Sequence, residues 1–174
     1  MTENMRSRWV TDEVMRAILV ALTDTNRLAV EMSWRYGMRI GDVLAVKTAQ
    51  VRRGRFTYSE EKTGKHRRIT LSPDFQLRLL REAGRIYLFE HRYDVKRHRT
   101  RQSVYKDIRR CAALFRLGRG VSPHTARKCY AVNAYRESGK DLKRVQRLLN
   151  HSNEAVTLIY ALADELEGYG YGKK

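Results

Sequence analysis

Residues 122–139, Ser-Pro-His-Thr-Ala-Arg-Lys-Cys-Tyr-Ala-Val-Asn-Ala-Tyr-Arg-Glu-Ser-Gly, read as a helix with both ends written into the sequence. Ser122 is a cap, Pro123 suits the first helical position, and Gly139 is a stop. His124 and Arg127 lie three apart and therefore share a face. The cap and the proline put His124 in the first turn, where exposed N–H groups and the helix dipole favour an anion such as phosphate.

Downstream, Asp141 caps a second helix with Leu142, Val145, Leu148 and Leu149 on one face. Then comes LNHSNEAVTLIYAL, residues 149–162. Asn150 suits a helix end, and Ser152 suits the start of a last helix reaching about Ala163. His151 lies in the tight connection, nine residues before Tyr160. The tail EGYGYGKK is glycine-rich.

Upstream, Thr11 or Asp12 caps a helix carrying Val14, Ile18, Ala21 and Leu22 at helical spacing. A second helix covers about 25–36 and ends near Gly37. A short third one, about 41–47, follows Arg39. The period then changes, and segments near 48–51, 55–60 and 66–71 read as short strands with Gly54 and Gly64 at the turns. Thr63-Gly64 is the tip of the second hairpin. Pro73 opens a helix to about Ala83, residues 91–101 (HRYDVKRHRTR) form a basic loop, and a helix covers about 103–116. The expected fold is mainly α with a small antiparallel β-sheet, in a single domain.

Composition narrows the partner. Lys and Arg number 36 against 19 Asp and Glu, a net charge of +17. Such a field attracts polyanions, and nucleic acid is the leading candidate. A basic membrane helix would confine its charge to one face of one segment, whereas here it runs along the whole chain. The apolar stretch AILVAL, 17–22, is too short to span a bilayer, and no apolar signal core opens the chain. Cys111 and Cys129 stand alone inside helices and read as reduced core residues of a cytoplasmic protein.

Four segments carry chemistry. YGMRIGDVL (36–44) holds Arg39, with Asp42 placed to orient it. EEKTGKHRRITL (60–71) holds Lys62 and Lys65 beside the hairpin turn. The other two hold His124 with Arg127, and His151 with Tyr160. Singly, each has an ordinary structural reading. A tyrosine beside Val156 and Ile159 packs in a core, and a charged hairpin tip aids solubility. Together they supply a phenol, two guanidinium groups, two imidazoles and an ammonium, a set suited to attack on a phosphodiester.

Their order, Arg, Lys, His-x-x-Arg, His, Tyr, resembles the tyrosine recombinase family, which includes phage integrases and Xer-type recombinases. The resemblance covers about residues 9–162, the family's catalytic domain. It implies that Arg39, in a G-x-R-x-x-D/E-x-L context, and Arg127 clamp the phosphate. It further implies that Lys62 is the hairpin lysine, that His124 and His151 hold the two histidine positions, and that Tyr160 is the nucleophile. Guanidinium groups then replace metal ions, so no cofactor and no metal are expected.

The implied partner is double-stranded DNA, without membrane. Lys65, Lys96, Arg97, Arg99 and Arg101 are candidate DNA contacts, and strand exchange implies self-association to a tetramer on DNA. Accessory DNA-bending proteins stay open. So do integration, excision, inversion and dimer resolution as outcomes. The chain begins close to where the catalytic domain begins, so it reads as a short recombinase like the fimbrial-switch invertases or as a piece of a longer one. Two rivals remain: a type IB topoisomerase-like enzyme, and a DNA-binding regulator that keeps the fold without cleavage.

Overall fold

The computed structural model describes residues 7–118 and 120–149. Their elements run α1 (Asp12–Ala21), α2 (Asp24–Tyr36), α3 (Ile40–Leu44), α4 (Thr48–Arg52), β1 (Arg55–Ser59), β2 (His66–Thr70) and α5 (Pro73–Arg81). Then follow β3 (Glu90–His91), β4 (Asp94–His98), α6 (Arg101–Leu114), α7 (Pro123–Glu137) and α8 (Leu142–Leu148). The mainly helical expectation holds, with the strands forming two separate antiparallel hairpins, β1–β2 and β3–β4.

Local chemistry sets most helix starts. Thr11 caps α1 by accepting from the Val14 N–H, Thr100 caps α6 through Ser103, and Asp141 caps α8 through Arg144. Ser122 and Thr125 form a reciprocal capping box at α7, with Pro123 in its first turn. Helix α7 packs along α2. Their facing apolar residues join Met15, Met32, Val43, Phe75 and Ile108 in one core, and Ala131, Ala134, Val145 and Leu149 form a smaller cluster under α8. Cys111 and Cys129 are buried free thiols, as expected. Burial pushes the Cys129 thiol up to about 11.

Polar ties brace this core. The buried Asp107 of α6 accepts from the Thr23 N–H at 3.0 Å, the Thr23 hydroxyl at 2.8 Å and Asn26 Nδ2 at 2.8 Å. It thereby fastens α6 to the α1–α2 turn.

Two expectations are corrected. Residues 48–51 are helical, within α4. Thr48 and Val51 share its buried side, and the Thr48 hydroxyl donates to the Gly84 carbonyl at 2.7 Å. The stretch 91–101 is not a loop: β3 and β4 pair across it, with Glu90 opposite His98, and α6 begins at Arg101. Its strands expose charged side chains, so no apolar alternation marks them. Residues 150–174 lie outside the described residues, and with them the expected last helix and tail.

Candidate active site

Helix α2 ends in Gly37, whose φ of 63° is left-handed. A Cβ there would lie 2.4 Å from Tyr130 Cδ1 on α7, so glycine permits both the turn and the close approach. The Ser33 hydroxyl donates to the Met38 carbonyl at 2.7 Å and locks the exit. Arg39 follows as the cap residue of α3, only 7% exposed.

The β1–β2 hairpin faces this corner. Phe56 pairs with Ile69 on its buried side. Its tip closes through the Glu60 N–H to the Lys65 carbonyl at 2.9 Å and the Gly64 N–H to the Glu60 carbonyl at 2.8 Å. Gly64 takes the left-handed φ of 67° that the turn needs.

From α7, Arg127 reaches the same corner. It is 5% exposed and donates to the Gly37 carbonyl. Arg67 of β2 donates to that carbonyl as well, at 3.2 Å, and to the Tyr36 carbonyl at 3.0 Å. The α2 terminus, where helix carbonyls attract cations, thus holds two guanidinium groups. Burial, helped by the nearby Arg39 charge, pushes Arg127 down to about 10, against the opposing pull of Glu60.

A cleft of about 330 Å³ opens beside this corner, lined among others by Arg39, Asp42, Lys62, Arg101 and His124. Arg39, Asp42, Lys62 and His124, all expected at the site from sequence, therefore meet in one cavity, from α3, the hairpin tip and α7. Lys65 is exposed on the same turn and is not among the cleft's lining residues. Lys96 and Arg97 are exposed on β4, whereas Arg99 is half-buried, and burial lowers its pKa. Arg101, expected as a DNA contact, lies over Gly41 at the cleft and pairs with Glu61. His151 and Tyr160 lie outside the described residues.

Asp42 is buried, and its Oδ1 accepts the Glu61 N–H at 2.9 Å. That bond ties α3 to the hairpin. Burial raises the Asp42 pKa, with Glu60 adding to the effect and Arg39 opposing it. Glu60 accepts a hydrogen bond from Arg39 Nη1 at 2.8 Å. Burial alone would raise the Glu60 pKa, but the bonds from Arg39 and the Thr63 hydroxyl outweigh it, and the net direction is down. Sequence reading missed Glu60. The available signal was a carboxylate two residues from Lys62, among arginines that need an internal counter-charge.

Chemically, the corner offers buried guanidinium groups for a phosphate's non-bridging oxygens, an ammonium on a turn, and an imidazole at a helix start. Among the described residues no group of His, Cys, Asp or Glu is arranged to hold a metal ion, and no helix is long and apolar enough to cross a membrane.

Comparison with known proteins identifies the family. The model described as "Phage integrase family" matches residues 8–167. A tyrosine recombinase of Thermosipho africanus is 26% identical over 176 residues, covering 95% of this chain and 61% of that protein. The tyrosine recombinase XerD of Lacticaseibacillus casei is 30% identical over 146 residues, covering 78% of this chain and 49% of that protein. Among solved structures, the post-cleavage complex of the XerH recombinase with its difH substrate superposes with a TM-score of 0.69 at 22% identity, covering 94% of this chain and 52% of that one. The chain thus spans about half to three-fifths of the length of these relatives.

Proposed function

The chain belongs to the phage integrase family, and on that premise we propose that it cuts and rejoins double-stranded DNA through a covalent 3′-phosphotyrosine link to Tyr160. The Tyr160 oxygen attacks phosphorus while His124 takes the phenol proton. Arg39 and Arg127, with His151, hold the non-bridging oxygens as charge builds on them. The 5′-oxygen leaves with a proton from Lys62, giving a free 5′-hydroxyl. Rejoining reverses these steps with a 5′-hydroxyl from the original or a partner strand. Exchange between two sites takes a tetramer synapsed on DNA, in the cytoplasm, with Lys65, Lys96, Arg97, Arg99 and Arg101 adding backbone contacts.

The observation that carries this reading is the meeting of Arg39, Lys62 and His124 in one cleft, with Arg127 braced behind it on Gly37. The XerH relative was solved with DNA after cleavage, which supports DNA as the substrate class.

The test is to incubate the protein with sheared DNA from its source organism, stop with detergent, and sequence the DNA covalently attached to protein. Recombination predicts adducts at a defined site, each leaving a 5′-hydroxyl that a polynucleotide kinase labels. DNA binding without adducts would leave the non-catalytic regulator. Relaxation of supercoiled plasmid lacking that site would favour the topoisomerase.

A further inference from the structure

We propose that Glu60 is a positioning residue, whose buried carboxylate ties the Arg39 guanidinium to the turn carrying Lys62, so that the two cations are set as one unit. This rests on the roles given above to Arg39 and Lys62. Glu60 follows β1 directly and is 1% exposed. Its Oε2 accepts from two directions: Arg39 Nη1 at 2.8 Å, and the Thr63 hydroxyl at 2.8 Å. Its Oε1 faces Arg67 Nη1 at 3.7 Å. Lys62 lies in the turn between Glu60 and Thr63, so both sides of the lysine are tied to one carboxylate. One side chain therefore fixes the distance between a group that acts on the non-bridging oxygens and a group that acts on the leaving oxygen.

A purely structural role does not account for this choice. Burying a carboxylate is costly, and a well-packed apolar residue is often at least as stable as a buried ion pair. Arg39, Arg67 and Arg127 converge here from three elements, with the buried Glu60 and Asp42 carboxylates among them. Glu60 offsets part of that repulsion and leaves the corner net positive, which suits a phosphodiester monoanion. It also constrains Arg39 in direction, which a diffuse charge would not do.

The test uses the full chain. Glu60→Gln keeps the shape but removes the charge, and Thr63→Val removes one bond of the tie. Amide hydrogen exchange should rise together in residues 37–41 and 60–65 of Glu60→Gln, with α7 amides unchanged. In Thr63→Val it should rise in the turn alone. Cleavage by Glu60→Gln of a duplex carrying the mapped site should fall on the order of 100-fold, the scale of a small misplacement of catalytic groups. DNA affinity should stay within about twofold, because binding is carried by phosphate contacts elsewhere. Replacing the bridging 5′-oxygen with sulfur should restore only the part of the loss owed to Lys62. Wild-type cleavage by Glu60→Gln, or faster exchange in one segment without the other, would overturn the proposal. If the unaltered protein forms no adduct, the cleavage reading fails instead, and the exchange data still decide whether Glu60 couples the two segments.

Discussion

The Arg127 guanidinium donates to the Gly37 carbonyl across 90 positions of sequence, so the end of one helix sets where the cation of another lies. Gly37 is also a point of severe approach between α2 and α7, since a Cβ there would meet the Tyr130 ring. Gly37→Ala should therefore cost on the order of 2–4 kcal/mol, combining left-handed strain with overpacking. Gly64→Ala is the control: its φ is 67°, but nothing lies within 4 Å of an added Cβ. It should cost only about 1 kcal/mol. Urea denaturation of the two variants checks this, and equal midpoints would discard the steric argument.

Asp107 should make stability depend on acid. Burial pushes its pKa up, but the hydrogen bonds from Asn26, Arg110 and Thr23 outweigh burial and the net direction is down. An unfolded aspartate titrates near 3.9, so the folded carboxylate holds its charge at lower pH than the unfolded one. Its stabilisation is then complete above about pH 4–5 and drains away as pH falls through the depressed folded value. Asp107→Asn should lower stability at pH 7 by about 1–3 kcal/mol, the scale for charged buried hydrogen bonds. Its stability should also fall less steeply than wild type below pH 4. Parallel curves for the two proteins would contradict this assignment.

Elements defined by their own neighbours are legible from sequence; those defined by distant ones are not. Thr11, Pro73, Ser122 with Pro123, and Asp141 mark helix starts through contacts within one turn, and each helix begins where they indicate. By contrast, α4 reads as a strand in sequence because its helical side is decided by the 84–88 segment packed on it, through the Thr48–Gly84 hydrogen bond. The β3–β4 hairpin leaves no sequence signal because backbone pairing holds it while Tyr93, Lys96 and Arg97 face solvent. At the site, Arg39, Lys62 and His124 are legible as an ordered set. Glu60 is not, because its burial comes from an arginine 21 positions away.

Lys96 and Arg97 should dominate the salt dependence contributed by residues 91–101. Both are exposed on β4, whereas Arg99 is half-buried and Arg101 is engaged with Glu61. Replacing Lys96 and Arg97 with alanine should reduce the slope of log K against log salt by roughly 0.9 for each phosphate that the hairpin no longer neutralises. Arg99→Ala should change it less. An unchanged slope in the double variant would remove this hairpin from the interface.

Tyr160→Phe should abolish covalent attachment and leave DNA binding close to wild type, since only the phenol oxygen is removed. Denaturing gels of a nicked duplex carrying the mapped site read this directly. An adduct persisting in the variant would move the nucleophile to another tyrosine. Tyr130 is a poor substitute, because burial raises its pKa and disfavours the phenolate. Tyr135 would then be the next residue to replace.

Lys62, rather than Lys65, should deliver the proton to the leaving oxygen. Both lysines are exposed on the same turn, but Lys62 lines the cleft beside Arg39 and His124, and Lys65 is not among the residues that line it. A 5′-alkoxide leaves poorly unless protonated as its bond to phosphorus breaks. With sulfur in the bridging position the leaving group is a thiolate, whose conjugate acid has a pKa nearer the ~8.5 of a cysteine thiol, and no acid is needed. Lys62→Ala should therefore cleave normal DNA very slowly and the sulfur-substituted strand at close to the wild-type rate. Arg39→Ala and Arg127→Ala should be slow on both, because in the proposed mechanism their charges act on the non-bridging oxygens, which the substitution leaves unchanged. Sulfur rescue of Lys65→Ala instead would transfer the acid to Lys65, and rescue of neither variant would assign the proton to another donor. A rescued Lys62→Ala would also separate the two functions that Glu60 joins: the deficit left in Glu60→Gln on the sulfur strand would then measure the Arg39 share alone.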